Sequence, residues 1–190
     1  GDGSFENPYA SIAEALNHVT ETRNIVYVKS GTYKEHGIAV SKNVTIQGED
    51  KAATIIDAEQ AGNIFSISTD DITVSITALT LTNGSAANGG AIYAGAGQVN
   101  IYDNIISDST ATNGGAVYVN TNANIHDNTF TGLSGNGSVF YLNSGVLTYA
   151  NNDLSAIETT PIAVSGGSLK TIMQALKELK SEREEMSQLL

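Results

Sequence analysis

Val74-Ser75-Ile76…Asn83…Asn88-Gly89-Gly90-Ala91-Ile92-Tyr93 decides the fold, because the chain writes this stretch again. At a spacing of 25 it falls on Val99-Asn100-Ile101…Asp108…Asn113-Gly114-Gly115-Ala116-Val117-Tyr118. A further step, now of 24, brings Asn124-Ile125-His126-Asp127-Asn128 onto Asn100-Ile101-Tyr102-Asp103-Asn104, and this copy ends in Gly137-Ser138-Val139-Phe140-Tyr141. A degraded fourth start, Thr148-Tyr149-Ala150-Asn151-Asn152, carries the pattern to Leu154. A fixed period in the low twenties marks a solenoid. Each copy is too short to bury its own apolar residues and must stack on its neighbours.

Within a copy the apolar runs are short, as in Val99–Ile101, Ile105–Ile106 and Ala116–Val119. They are rich in Ile, Val, Tyr and Thr, with Asn, Gly, Asp and Ser between them, which reads as strand and turn in alternation. No copy has room for a helix. The pattern predicts three short strands per coil, each pairing in parallel with its counterpart one coil on. That is an all-β parallel β-helix with coils about 4.8 Å apart. Asn104, Asn128 and Asn152, at intervals of 24, should then stack as a ladder, placed in the left-handed turn conformation that Asn tolerates.

Composition limits the function classes. The chain has 190 residues, no Cys and no Trp, two Pro and a net charge of −11. One domain plus its ends is expected. No apolar run is long enough to cross a membrane and no signal peptide is visible. A start at Gly1-Asp2-Gly3 without Met is what a processed or excised piece would show. Between Lys51 and Lys170 there is no Lys or Arg, while Asp57, Glu59, Asp70, Asp71, Asp103, Asp108, Asp127, Asp153 and Glu158 lie there. Such a surface repels nucleic acid phosphate and anionic lipid. It suits cations or neutral glycans, or simply keeps an extracellular protein soluble.

Before the repeats, Ile12, Ala15, Leu16 and Val19 make one apolar stripe, predicting a short helix over about 10–20 that caps the open end of the solenoid. Strands are expected at Ile25–Val28, Ile38–Val40, Val44–Ile46 and Ile55–Asp57, with Asn63-Ile64-Phe65-Ser66-Ile67 a forerunner of the Gly-Gly-Ala-Ile-Tyr strand. The opening Asp2-Gly3-Ser4…Asn7-Pro8-Tyr9…Ser11-Ile12…Ala15-Leu16, then Tyr27-Val28-Lys29-Ser30-Gly31-Thr32-Tyr33-Lys34-Glu35 and Val44-Thr45-Ile46-Gln47-Gly48, resembles right-handed parallel β-helix surface proteins. With the Gly-Gly-Ala-Ile-Tyr repeats it is most similar to methanogen adhesin-like proteins and, more distantly, to chlamydial polymorphic membrane proteins. The resemblance covers about Gly1 to Ser165. It implies a right-handed coil, a place at the cell surface, and an adhesive module that binds a glycan or a cell-surface protein.

The same opening precedes pectate-lyase-like enzymes, so a polysaccharide-active enzyme is the alternative. Lyases of that fold use a Lys or Arg base, often beside carboxylate-held calcium. Here no basic side chain stands on any coil after Lys51, and elimination without a base is hard to support. Hydrolases gather carboxylates around the scissile bond. Asp70-Asp71 is a pair, but no His-bearing glycine motif or Arg-x-Lys motif follows it, and His126 stands alone where Tyr102 stands a coil earlier. No catalytic residue and no cofactor is assigned.

Two constellations remain. Asp103 and Asp127 are equivalent positions, and stacking would bring their carboxylates to about 5 Å. They would either share a cation such as Ca²⁺ or each cap its own turn through a backbone N–H. Tyr93, Tyr118 and Tyr141 would form a ligand-binding aromatic strip if exposed and a core ladder if buried. Alternation leaves this open, since Ala91, Ala116 and Val139 on one parity and Ile92, Val117 and Phe140 on the other are all apolar or small. Asn43, Asn83 and Asn136 match the N-glycosylation pattern, as chance allows in so Asn-rich a chain.

Past Ser165-Gly166-Gly167-Ser168 the character changes. Leu169, Ile172, Leu176, Leu179, Arg183, Met186 and Leu190 are spaced 3, 4, 3, 4, 3, 4, an a/d heptad seam with one polar interruption. Two units are therefore expected, the β-helix over 1–167 and an amphipathic helix over 168–190. The helix would join copies of the chain through Leu169, Ile172, Leu176, Leu179, Met186 and Leu190, fold back as a second cap, or be an engineered fusion.

Overall fold

Backbone hydrogen bonds between equivalent strands, one coil apart, hold the molecule together. The structure, a computed structural model, describes residues 1–171. All pairings are parallel, and the strands collect into sheets of seven, six, five and three. Sheet A runs Ile25–Val28, Val44–Gly48, Thr73–Thr77, Gln98–Tyr102, Asn122–His126, Val146–Ala150, Ser168–Thr171. Sheet B holds Gly31–Lys34, Thr54–Asp57, Thr80–Thr82, Ile105–Ser107 and Thr129–Thr131; sheet C holds Ile38–Val40, Phe65–Ile67, Ile92–Ala94, Val117–Val119, Phe140–Leu142 and Ile162–Val164. The result is a β-solenoid of about six turns.

The expectation of three strands per coil is corrected here. Ser85–Asn88, Thr110–Asn113 and Ser134–Asn136 form a fourth, narrow sheet, D, between sheets B and C. These segments bury almost nothing, but stacked coils place their backbone groups in line and they pair. The step from coil to coil varies. It is 20 from Val26 to Ile46 and 30 from Val44 to Val74, then 25, 24 and 24, and it is 22 from Leu147 to Leu169.

Inside, the alternation of each strand turns one parity into the core. Val74, Val99, Ala123 and Leu147 stack in sheet A, and so do Ile46, Ile76, Ile101 and Ile125. Leu81, Ile106 and Phe130 come from sheet B; Phe130 meets Phe140 of sheet C edge to face at 5.2 Å. Phe65 pairs with Ile92 as expected for the forerunner strand.

At the first corner, Asn104 and Asn128 are buried and form the predicted ladder with Asn152. Each Oδ1 accepts the backbone N–H of the preceding coil: Leu79 to Asn104 at 3.1 Å, Asn104 to Asn128 at 3.0 Å and Asn128 to Asn152 at 3.1 Å. Each Nδ2 donates back to a sheet A carbonyl, as Asn128 does to Ile101 at 3.0 Å. The left-handed residue is not the asparagine itself but the one before it. Asp103, Asp127 and Asn151 have φ of 56°, 58° and 51°, and Ala78 holds the same place at 56°. The turn needs its reversal one residue before the side chain that bonds the stack.

The helix is shorter than 10–20: it spans Ile12–Asn17. Ser11 caps it, accepting from the Glu14 N–H, and Glu35 of the first coil accepts the Ile12 and Ala13 N–H groups at 2.8 and 3.1 Å. At the other end Lys42 Nζ donates to the Asn17 and Val19 carbonyls, both at 2.9 Å. A carboxylate at the positive end and an ammonium at the negative end hold the helix on the coil. Ile12, Leu16 and Val19 join the core there.

The division at 167 and 168 is also corrected. Ser168–Thr171 is a strand of sheet A, and Leu169 of the heptad seam stacks inward on Leu147. Gly167, with φ of 80°, repeats ahead of this strand the corner that Gly145 makes at 81° ahead of Val146–Ala150. Ile172, Leu176, Leu179, Arg183, Met186 and Leu190 lie outside the described residues. Among the described residues no helix is long and apolar enough to cross a membrane.

Candidate functional site

Sheet C places the tyrosines on its outer face. In Ile92–Ala94 the ends are buried and Tyr93 between them is half-exposed; Val117–Val119 and Phe140–Leu142 repeat this with Tyr118 and Tyr141. The ambiguity of parity resolves because Ala91, Ala116 and Val139 turn inward at the corner, before the strand's own alternation begins. That corner demands the Gly-Gly pair. Gly89 and Gly114 take φ of 65° and 67°, and a Cβ on Gly90 or Gly115 would lie 2.2 or 2.3 Å from a carbonyl of the next coil.

Register sets Tyr93 beside Tyr118 and Tyr118 beside Tyr141. Both pairs of rings stack at 5.5 Å between centroids, with planes 9° and 6° apart. Ring carbons in contact are about 3.5–4.0 Å apart, so rings at this centroid distance are slipped along one another. Each keeps part of its face uncovered. None of the three hydroxyls bonds to a described residue. Burial holds the Tyr118 hydroxyl above the usual phenol range, and the flanking Tyr93 and Tyr141 add to the shift. At neutral pH the hydroxyl is a proton donor. Ser66 on one side and Ala163 on the other occupy the same row, so small residues border the ladder.

Amide rows that sequence reasoning passed over flank the rings. Two residues beyond the tyrosines, Asn143 Nδ2 donates to Asn120 Oδ1 at 2.7 Å, and Asn120 Nδ2 to the Gly95 carbonyl at 3.3 Å. Gly95 holds that place in the first of these coils because the Tyr93 ring leans over it: a Cβ there would be 2.4 Å from a ring carbon. At the opposite corner Asn113 Nδ2 donates to Asn88 Oδ1 at 2.9 Å. The signal was present as the return of Asn once per period, read as turn chemistry alone.

Each of the two carboxylates has a side-chain partner in the structure. Asp103 and Asp127 stack at the first corner, but Lys51 Nζ reaches Asp103 at 2.5 Å and His126 Nδ1 meets Asp127 Oδ2 at 2.6 Å. Lys51 spans the coil between, where small Ala78 occupies the row. The hydrogen bond from His126 holds the Asp127 carboxyl below its ordinary range, with the charge of the ring a smaller contribution. The His126 ring lies flat on Tyr102 at 5.2 Å. Among the described residues no three His, Asp or Glu side chains gather as metal ligands. A cleft of about 330 Å³ opens at the far end, between the N-terminal segment, the helix and the strand Ile25–Val28. Its floor, Ile12, Val19 and Val26, is the edge of the core.

No protein-family model matches the chain, and neither a curated protein nor a solved structure is significantly similar to it.

Proposed function

We propose that the chain is a non-enzymatic module of an adhesin-like cell-surface protein, whose solenoid projects the outer face of sheet C toward a glycan or a surface protein outside the cell. The observation that carries this reading is the ladder of Tyr93, Tyr118 and Tyr141, three half-exposed rings whose hydroxyls have no partner among the described residues. The same row carries small residues at its two ends, Ser66 and Ala163, so the rings are confined to three consecutive coils. The crossover preference of parallel strands and the resemblance to adhesin-like proteins both favour a right-handed coil. Against a polysaccharide-cleaving enzyme stand the absence of Lys and Arg on the coils from 52 to 169 and the engagement of Asp103 and Asp127 by Lys51 and His126.

The test incubates the chain with a panel of neutral and uronic polysaccharides and follows reducing ends and unsaturated products. Neither should rise, while beads coated with the chain should attach to glycan- or cell-coated surfaces. Turnover that disappears in Asp103→Ala or Asp127→Ala would overturn the proposal.

A further inference from the structure

Resting on the reading of sheet C as a binding face, we infer that Tyr93, Tyr118 and Tyr141 hold a neutral polysaccharide chain laid parallel to the solenoid axis. Three features of the face select that chemistry. Rings recur once per coil, 5.5 Å apart, in a straight row. A linear glycan advances by a comparable distance per sugar, so successive sugars meet equivalent surroundings. Each ring offers the exposed part of its face to sugar C–H groups, and a hydroxyl with no partner among the described residues to sugar oxygens. Beside the rings, Asn120 and Asn143 use one N–H of each carboxamide along the stack and leave the second for solvent or ligand.

Charge excludes the commoner acidic polymers. The coils from 52 to 169 carry no Lys or Arg and several carboxylates, so a uronate or sulfated chain would find repulsion and no counter-charge. A neutral chain meets neither. The row is short at both ends, bounded by Ser66 and Ala163, and three rings should therefore define the length recognised.

Oligosaccharide series of cellulose, xylan and mannan, with polygalacturonate as the acidic counterpart, test this on the whole chain by affinity electrophoresis and calorimetry. At least one neutral series should bind, tightening with length until the three rings are spanned and then levelling off. Tyr118→Phe keeps the ring and removes one hydrogen-bonding group, and should weaken binding about 3- to 10-fold. Tyr118→Ala interrupts the ladder and should weaken it more, while Asn124→Ala on sheet A leaves it unchanged. Circular dichroism checks that each variant keeps its strands. Failure of every neutral series to bind, preference for polygalacturonate, or binding untouched by both Tyr118 variants overturns the inference. If a purified surface protein binds through Tyr118 and no glycan does, the glycan is refuted and the adhesive reading stands. Neutral-glycan binding accompanied by cleavage would instead keep the ligand and refute the non-enzymatic reading.

Discussion

Asn128 shows how much one side chain carries in a fold of stacked corners. Its Oδ1 takes the Asn104 N–H, and its Nδ2 serves the carbonyls of Ile101 and His126 at 3.0 and 2.9 Å, all within a buried turn. Replacement by Ala strands a buried donor above and loses two bonds to carbonyls behind. We expect Asn128→Ala to lower stability by about 2–3 kcal/mol in urea denaturation. Asn124→Ala, on the outer row of sheet A, should stay within about 0.5 kcal/mol of the parent. Equal effects at the two sites would mean the ladder contributes no more than a surface amide. This row was legible in the sequence because one residue type returns at an unchanging interval beside an apolar strand. The adjacent left-handed residues were hidden, since Ala78, Asp103, Asp127 and Asn151 share a backbone angle and not a side chain.

Among the elements, the Gly-Gly corner between sheets D and C decides which residues face out. Gly115 does not take a left-handed φ; it is needed because a Cβ would sit 2.3 Å from the Ser138 carbonyl and 2.5 Å from that of Ser134. Gly115→Ala must therefore push two coils apart, at a cost of about 1–3 kcal/mol, read as a lower melting temperature. An unchanged melt would show that the corner can breathe. The third copy has Ser138 at the equivalent place, where its N–H donates to the Thr160 carbonyl of the next coil. Period, parallel pairing and most strands were readable from hydrophobic spacing, whereas of the helix expected over about 10–20 only the short stretch Ile12–Asn17 is helical. Sheet D was not, because Ser85–Asn88 and its copies are written in turn residues and owe their pairing to their neighbours. The strand Ser168–Thr171 was misread since Leu169 satisfies both a heptad and a coil. The better signal was Gly167 standing where Gly145 stands, each followed by an inward Leu two positions on.

On the scale of the whole molecule, the described coils form a rod with nearly all its cations at one end. Lys51 is the last Lys or Arg before Lys170, and it is spent on Asp103. Salt should stabilise the chain by screening its carboxylates over about 8–10 Å. Because Asp103 and Asp127 already face Lys51 and His126, calcium, magnesium and sodium chlorides at matched ionic strength should raise the melting temperature equally. An increment specific to calcium would place a cation on that pair and refute the ion-pair reading. The unequal coil steps, short from Val26 to Ile46 and long from Val44 to Val74 around an unchanged stack, have a different consequence. Extra residues leave through the corners, so the cross-section is indifferent to how many are supplied. Copying one repeat unit would add about 4.8 Å of rod, one more ring and one more asparagine. Length and the number of stacked rings would then rise together by gene duplication, with no new surface to invent: the molecule is a ruler that carries one ring at each graduation of the ladder.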